Sequence, residues 1–162
     1  MPKAKIKSTL DSAEKQCQLR GTRLTQKRKM ILKGLVSSKH AMTAYELVDH
    51  CKDEWGESIP VMSVYRILEF LVGENLVHKL KIANRYVACI HISCDHRHAV
   101  PQFLICTGCY RVEEVDVGRS TMGALKRNVE GAGFELVSEQ IELDCICSVS
   151  YTHLTLPTTP YV

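Results

Sequence analysis

The feature that most constrains this chain is a cysteine pair, Cys106-x-x-Cys109, which lies between two short apolar runs. Two thiolates at this spacing on a turn can bind one metal ion with tetrahedral angles. The flanking runs, Phe103–Cys106 and Val112–Val117, have the composition of strands. The pair therefore predicts a small metal-binding unit, with a redox disulfide as the alternative use of the same cysteines.

Further side chains of types that can bind metals lie on both sides of this pair in the sequence. They are His78, Cys89, His91, Cys94, His96, His98 and Glu114. A lone histidine usually belongs to a surface or a core, but several His and Cys residues in so short a segment seldom do. A mixed set of nitrogen, sulfur and oxygen ligands suits zinc better than magnesium or calcium. A second pair is imperfect, because Cys145-Ile-Cys147 has the wrong spacing.

Eight cysteines in 162 residues also bear on the cellular compartment. No apolar segment follows Lys3, Lys5 and Lys7, so no secretory signal is visible. The longest apolar run, Tyr86–Ile90, is far shorter than the roughly 20 residues that span a bilayer. We therefore expect a cytoplasmic protein with no membrane partner, whose cysteines serve metal or redox chemistry.

Charge divides the chain into two parts. Residues 1–86 carry sixteen Lys or Arg and nine Asp or Glu, whereas residues 87–162 carry five and nine. A basic first part indicates a polyanionic partner, although an uneven solvated surface is the alternative.

The basic part has the pattern of helices followed by a hairpin. Helices are predicted over residues 9–20, after Thr25, after the capping-box pair Thr43 and Glu46, and over Pro60–Glu74. Asn75 can end the last helix in a left-handed conformation. Two alternating runs, Leu76–Ile82 and Arg85–Ala88, then predict a hairpin. Helices closed by a hairpin indicate a winged helix-turn-helix.

The helix over Pro60–Glu74 is the candidate recognition helix. Ser63, Tyr65 and Arg66 lie off its apolar stripe and can face the major groove of DNA. Arg66 can donate two hydrogen bonds to guanine, and Tyr65 can contact a thymine methyl group or a phosphate. The alternative is that Tyr65 and Arg66 only cover the helix surface.

Beyond residue 88 the pattern is that of a small α+β unit. A helix is predicted over Met122–Glu130, and Phe134–Leu143 alternates like a strand. The last segment, residues 150–162, carries no Asp, Glu, Lys or Arg and has no amphipathic period. We interpret it as a non-native or disordered tail, with a native flexible tail as the alternative.

Five segments together resemble the ferric-uptake-regulator family of metal-responsive repressors. They are Leu24–Arg28, Ser63–Leu71, Leu76–Lys79, Tyr86–Cys89 and Phe103–Glu114. The His-Lys pair at 78–79, with Cys89 after it, is similar to the zinc-uptake branch. The resemblance implies an α+β protein with an N-terminal winged helix-turn-helix DNA-binding domain (residues 1–84) and a C-terminal small α/β domain for metal binding and dimerisation (residues 85–149).

The resemblance also implies two zinc ions per chain. A structural zinc would use Cys106, Cys109 and Cys147, with Ser150 where the family has a fourth cysteine and Cys145 as a possible substitute. A regulatory zinc would use His78, Cys89, Glu114 and one of His98 or His96, of which His98 is preferred. The family usually has glycine where this chain has Tyr110.

The function implied is a zinc-responsive repressor, not an enzyme. It would bind a palindromic double-stranded DNA operator as a homodimer when zinc-loaded, control zinc-uptake genes and take no small-molecule substrate beyond the metal. Arg23, Lys27 and Arg28 would contact phosphates. The alternatives are an iron, manganese or peroxide sensor of the same family, and a Cys-x-x-Cys redox or zinc enzyme, for which no paired carboxylates or Ser/His/Asp set is visible.

Overall fold

The computed structural model of the chain describes residues 3–38, 40–92, 101–137 and 140–150. The chain divides into two compact units, Met1–Arg97 and His98–Val162. The domain boundary after residue 84 stays a prediction. Within the described residues, no helix is both long enough and apolar enough to cross a membrane.

The first unit contains four helices and a two-stranded hairpin. In chain order they are α1 (Lys3–Leu19), α2 (Gln26–Ser37), α3 (Ala44–Trp55), α4 (Val61–Gly73), β1 (Val77–Leu80) and β2 (Arg85–Ala88). The capping box predicted for α3 is confirmed: the N–H of Glu46 donates to Oγ1 of Thr43, and the N–H of Thr43 donates to the Glu46 carboxylate. These bonds satisfy two of the backbone donors that a helix N-terminus leaves unpaired.

The core of the first unit lies between the helices and the hairpin. The predicted stripe of α4 is confirmed, and its members Val64, Ile67, Leu68 and Leu71 are all buried. Amphipathic periodicity predicts that Leu19, in the helix over residues 9–20, and Tyr45, in the helix after Thr43, face the core, and both predictions are wrong. Leu19 is 89% exposed and Tyr45 is 64% exposed. Leu19 is the last residue of α1, and Tyr45 lies in the first turn of α3 next to the exposed Glu46, so neither faces the core.

The hairpin is antiparallel, with Val77 opposite Ala88 and Leu80 opposite Arg85. Asn75, after α4, has φ 58°, and Asn84, in the hairpin turn, has φ 47°. Asparagine tolerates this left-handed region better than most residues, which agrees with the predicted turns. Backbone hydrogen bonds between Met42 and Tyr86, in both directions, hold β2 against the segment before α3.

The second unit is a three-stranded sheet with one helix. Its elements are β3 (Pro101–Cys106), β4 (Val112–Asp116), α5 (Arg119–Gly131) and β5 (Ile141–Cys145). The strand order is β4-β3-β5, with β3 antiparallel to β4 and parallel to β5. Phe103 is fully buried in this unit. The helix and the first two strands agree with the sequence predictions.

The strand predicted over Phe134–Leu143 begins later, at Ile141. The N–H of Phe134 donates to the carbonyl of Val129, and Gly133 has φ 84°. This arrangement is a helix C-cap, so the residues after α5 complete the helix end before the sheet resumes. Of the predicted tail, only Ser150 lies within the described residues. It ends a helical turn over residues 148–150, so the second unit includes Ser150 and extends one residue into the predicted tail.

Candidate functional site

Three cysteines of the second unit converge at one end of its sheet. The Sγ atoms of Cys106, Cys109 and Cys147 all lie within 4.8 Å of one another. Those of Cys109 and Cys147 are 3.7 Å apart. Two sulfurs that each lie about 2.3 Å from one zinc ion at a tetrahedral angle are about 3.8 Å apart. The cluster therefore fits a zinc ion.

The sheet itself brings these cysteines together. Cys106 ends β3, and its partner in the parallel register is Cys145, the last residue of β5. The N–H of Thr107 donates to the carbonyl of Cys145 at 3.0 Å, which fixes the start of the turn to the neighbouring strand. Because parallel strands end at the same edge, Cys147 emerges beside the Cys106-x-x-Cys109 turn.

Hydrogen bonding favours the thiolate form in this cluster. The backbone N–H of Cys147, 3.4 Å from Sγ of Cys106, and the nearby Ser150 hydroxyl lower the pKa of Cys106 from 9.0 to about 5. The side chain and backbone N–H of Ser150 lower the pKa of Cys147. Thiolates are the form that binds metal, so these hydrogen bonds favour metal binding by the cluster.

Ser150 lies next to this cluster, where the sequence predicted a missing ligand. Its Oγ lies 3.4 Å from Sγ of Cys106 and 3.3 Å from Sγ of Cys147. Among the described residues, Cys145 is not part of the cluster. It lines a neighbouring cavity of about 330 Å³ together with Cys106 and Cys147.

Two further predicted ligands meet on the hairpin of the first unit. His78 lies on β1, and Cys89 follows β2 with its N–H donating to the carbonyl of Leu76 at 3.0 Å. A ring nitrogen of His78 and Sγ of Cys89 lie within 4.8 Å of each other. Cys89 is buried and His78 is half-buried. Antiparallel register thus brings together an imidazole and a thiol that are eleven residues apart in sequence.

The remaining predicted ligands do not belong to the hairpin. Glu114 is half-buried on β4 of the second unit, opposite Phe103. His96 and His98 lie outside the described residues, so the choice between them stays a prediction.

The candidate DNA-binding residues lie on α4 and at the start of α2. Arg66 is exposed on α4, whereas Ser63 and Tyr65 are half-buried and Tyr65 packs against the core. Arg23 and Lys27 are exposed.

Arg28 differs from these exposed cations. Its guanidinium carbon lies 3.5 Å from the centre of the Phe70 ring, and one of its nitrogens donates to the Arg23 carbonyl at 2.6 Å. Arg28 therefore also stabilises the packing of α2 on α4, a role that its basic character in the sequence did not indicate.

Comparison with known proteins agrees with this architecture. Residues 19–144 match the ferric uptake regulator family. The chain belongs to this family. It is 31% identical over 148 residues to the zinc uptake regulation protein of Escherichia coli (strain K12), covering 91% of this chain and 84% of that protein. It is also 29% identical over 145 residues to the ferric uptake regulation protein of Synechocystis sp., covering 86% of this chain and 83% of that protein.

Two solved structures of zinc uptake regulators are similar to this chain. A zinc uptake regulator complexed with zinc and DNA has a TM-score of 0.76 at 27% identity, over 92% of this chain and 97% of that one. Holo XcZur has a TM-score of 0.70 at 31% identity, over 88% of this chain and 96% of that one. The predicted fold class, a winged helix followed by a small α/β domain, is confirmed, and the relatives are regulators rather than enzymes.

Proposed function

We propose that this protein is a zinc-responsive transcriptional repressor that binds palindromic operator DNA as a dimer and controls zinc-uptake genes. The observation that carries the proposal is its similarity, over nearly the whole chain, to a zinc uptake regulator complexed with zinc and DNA. The paired thiol and imidazole on the hairpin support zinc over the harder metals.

Two zinc sites per chain are part of the proposal. Cys106, Cys109 and Cys147 hold a structural ion at the end of the sheet. His78 and Cys89 hold a regulatory ion together with Glu114 and a histidine, His98 or, as the alternative, His96. Bound zinc would cross-link these side chains, which are otherwise held together only by weaker contacts. The thiolate of Cys89 favours zinc over iron or manganese.

DNA contacts are assigned to the first unit. The exposed Arg66 on α4 reads bases in the major groove, and Ser63 and Tyr65 flank it. Arg23 and Lys27 contact phosphates, and Arg28, which also packs on Phe70, borders the same surface. The excess of basic residues before residue 87 supports this assignment.

Dimerisation is assigned to the second unit. None of the residues of α5, which the structure describes in full, is buried. The same unit exposes large apolar side chains at several other positions: Phe134, Val137, Leu143, Ile146 and Val149. So much exposed apolar surface on a small unit favours a covering partner, and a second copy of the chain is the partner that family membership supports.

Zinc and DNA act on one another by linkage. If both ligands bind the same dimer arrangement best, each raises the affinity of the other, typically by about 5–150-fold. The test is fluorescence anisotropy with a duplex operator, selected from a random library by the zinc-loaded protein. We expect chelation to lower operator affinity within that range. Equal affinity with and without zinc contradicts the proposal.

The same binding measurement shows which metal activates the protein. Fe²⁺ and Mn²⁺ are added to the metal-free protein at matched free concentrations. Activation by zinc at the lowest free concentration supports the proposal, and activation by iron or manganese at lower concentrations favours the alternative sensors.

A further inference from the structure

The hydroxyl oxygen of Ser150 lies beside the three cysteines, at the position of the fourth ligand in a tetrahedral site. Its distances to Sγ of Cys106 and Cys147 are 3.4 and 3.3 Å. An oxygen and a sulfur bound to one zinc ion at tetrahedral angles lie about 3.5 Å apart. The Sγ atoms of Cys109 and Cys147 are 3.7 Å apart. These three distances match the edges of a tetrahedron formed by three sulfur ligands and one oxygen ligand around a zinc ion.

Local packing holds the serine in this position. The N–H of Ser150 donates to Sγ of Cys147 at 3.4 Å. A Cβ atom added at Gly108 would lie 3.1 Å from Oγ and 3.2 Å from Cβ of Ser150. The glycine inside the Cys106-x-x-Cys109 turn therefore leaves the space that Ser150 fills, so the serine approaches the sulfurs because the turn has no side chain there.

We propose that Ser150 Oγ is the fourth ligand of the structural site, which is a three-thiolate, one-hydroxyl zinc site whose ion exchanges readily. The inference rests on the proposed function only in assigning zinc to the cysteine cluster. A hydroxyl is a weaker donor to zinc than a thiolate, so the ion is held less tightly than by four cysteines. The cavity of about 330 Å³ lined by Cys106 and Cys147 lets a chelator or small thiol approach two of the ligands.

The ligand count is tested by cobalt substitution of the full-length protein. Cys89→Ser is used as the background, because it removes the thiolate of the other proposed site. Charge-transfer absorption from thiolate to Co²⁺ grows with the number of thiolates, so Ser150→Cys should raise it by about one third, and Cys147→Ser should lower it by about one third. Cys145→Ser is the matched control and should leave it unchanged, because Cys145 lines the cavity outside the cluster.

The role of the hydroxyl itself is tested by Ser150→Ala. We expect this variant to shift the visible d–d bands of the bound Co²⁺ and to release zinc to a chelator at least about three times faster than the parent. Ser150→Cys should release zinc at least about ten times more slowly, because structural zinc sites are closed by four strong ligands. If Ser150→Ala leaves both the d–d bands and the release rate unchanged, Ser150 is not a ligand and the inference is wrong.

The outcomes separate the inference from the function on which it rests. If the thiolate-to-Co²⁺ absorption is the same in the Cys89→Ser parent and after addition of Ser150→Cys, only the inference about Ser150 is overturned. No thiolate absorption in the parent shows that the cluster binds no metal, which overturns the structural site as well. Operator binding, measured separately, tests the repressor function.

Discussion

A guanidinium nitrogen of Arg85 donates a 2.6 Å hydrogen bond to the Glu46 carboxylate and a 2.9 Å bond to the carbonyl of Ala41. Arg85 begins β2, and Glu46 closes the capping box of α3. One carboxylate thus caps a helix and holds the hairpin at the same time. Because the hairpin carries His78 and Cys89, this pair also fixes the element that presents two proposed zinc ligands.

Replacing this carboxylate should destabilise the first unit. Glu46→Ala removes one half of the capping box and the ion pair, and we expect a loss of about 1–2 kcal/mol in the free energy of unfolding. Urea denaturation followed by circular dichroism measures it. Glu54→Ala, an exposed residue of the same helix, is the control and should change the free energy by less than about 0.5 kcal/mol. Equal losses for the two variants would contradict the role assigned to Glu46.

The contribution of the Glu46 charge should depend on pH. Burial raises the pKa of Glu46, but hydrogen bonds from Thr43 and the Arg85 guanidinium outweigh it and hold the pKa below 4.5. A carboxylate whose pKa is lower in the folded than in the unfolded state stabilises the folded protein above pH 4.5. This stabilisation disappears as the pH falls through the lowered pKa. Glu46→Gln keeps the capping geometry, so its difference in stability from the unmodified protein should narrow in acid. A difference that widens as pH falls would show the opposite sign.

Two neighbouring basic residues of α2 should behave differently. Arg28→Ala loses the contact with Phe70 and should lower the free energy of unfolding by about 1–2 kcal/mol. Lys27→Ala, at an exposed position, should leave stability unchanged but weaken operator binding, and it should reduce the slope of log affinity against log salt by about 0.9. Denaturation and salt titrations of binding measure the two effects, and a salt slope unchanged by Lys27→Ala would remove that residue from the interface.

The hairpin ligands should control the zinc response. Cys89→Ser and His78→Ala should each raise the free zinc concentration needed for operator binding by at least about tenfold, as loss of a ligand or of its support does in metal sites. Anisotropy in zinc-buffered solutions measures this. Cys145→Ser should respond to zinc like the unmodified protein, and a normal response in Cys89→Ser would exclude the thiol as a ligand.

The apolar surface of the second unit should control the oligomeric state. Phe134 is 72% exposed, and Phe134→Glu should shift sedimentation from dimer towards monomer, because a buried unpaired charge at an interface is costly. Leu19→Glu, which changes an even more exposed apolar residue of the first unit, should remain dimeric. A dimer that persists in Phe134→Glu would locate the interface elsewhere.

Much of the fold could be predicted because its signals are local. The capping box of Thr43 and Glu46 and the turns at Asn75 and Asn84 depend on residues close in sequence. The stripe of α4 follows from helical periodicity, which places apolar residues on one face whatever lies opposite. The start of β5 was less predictable, because the helix cap at Phe134 competes with an alternating strand pattern.

The sequence by itself determined which side chains could bind a metal or DNA, since chemistry and spacing belong to the chain. Only the tertiary structure decided that Ser150 rather than Cys145 adjoins the cysteine cluster, and that Arg28 packs on Phe70. The pairing of β3 with β5 brings side chains about forty positions apart in sequence within 4 Å of each other. Such distances depend on strand register and on the open space at Gly108, which are properties of packed elements rather than of any short segment.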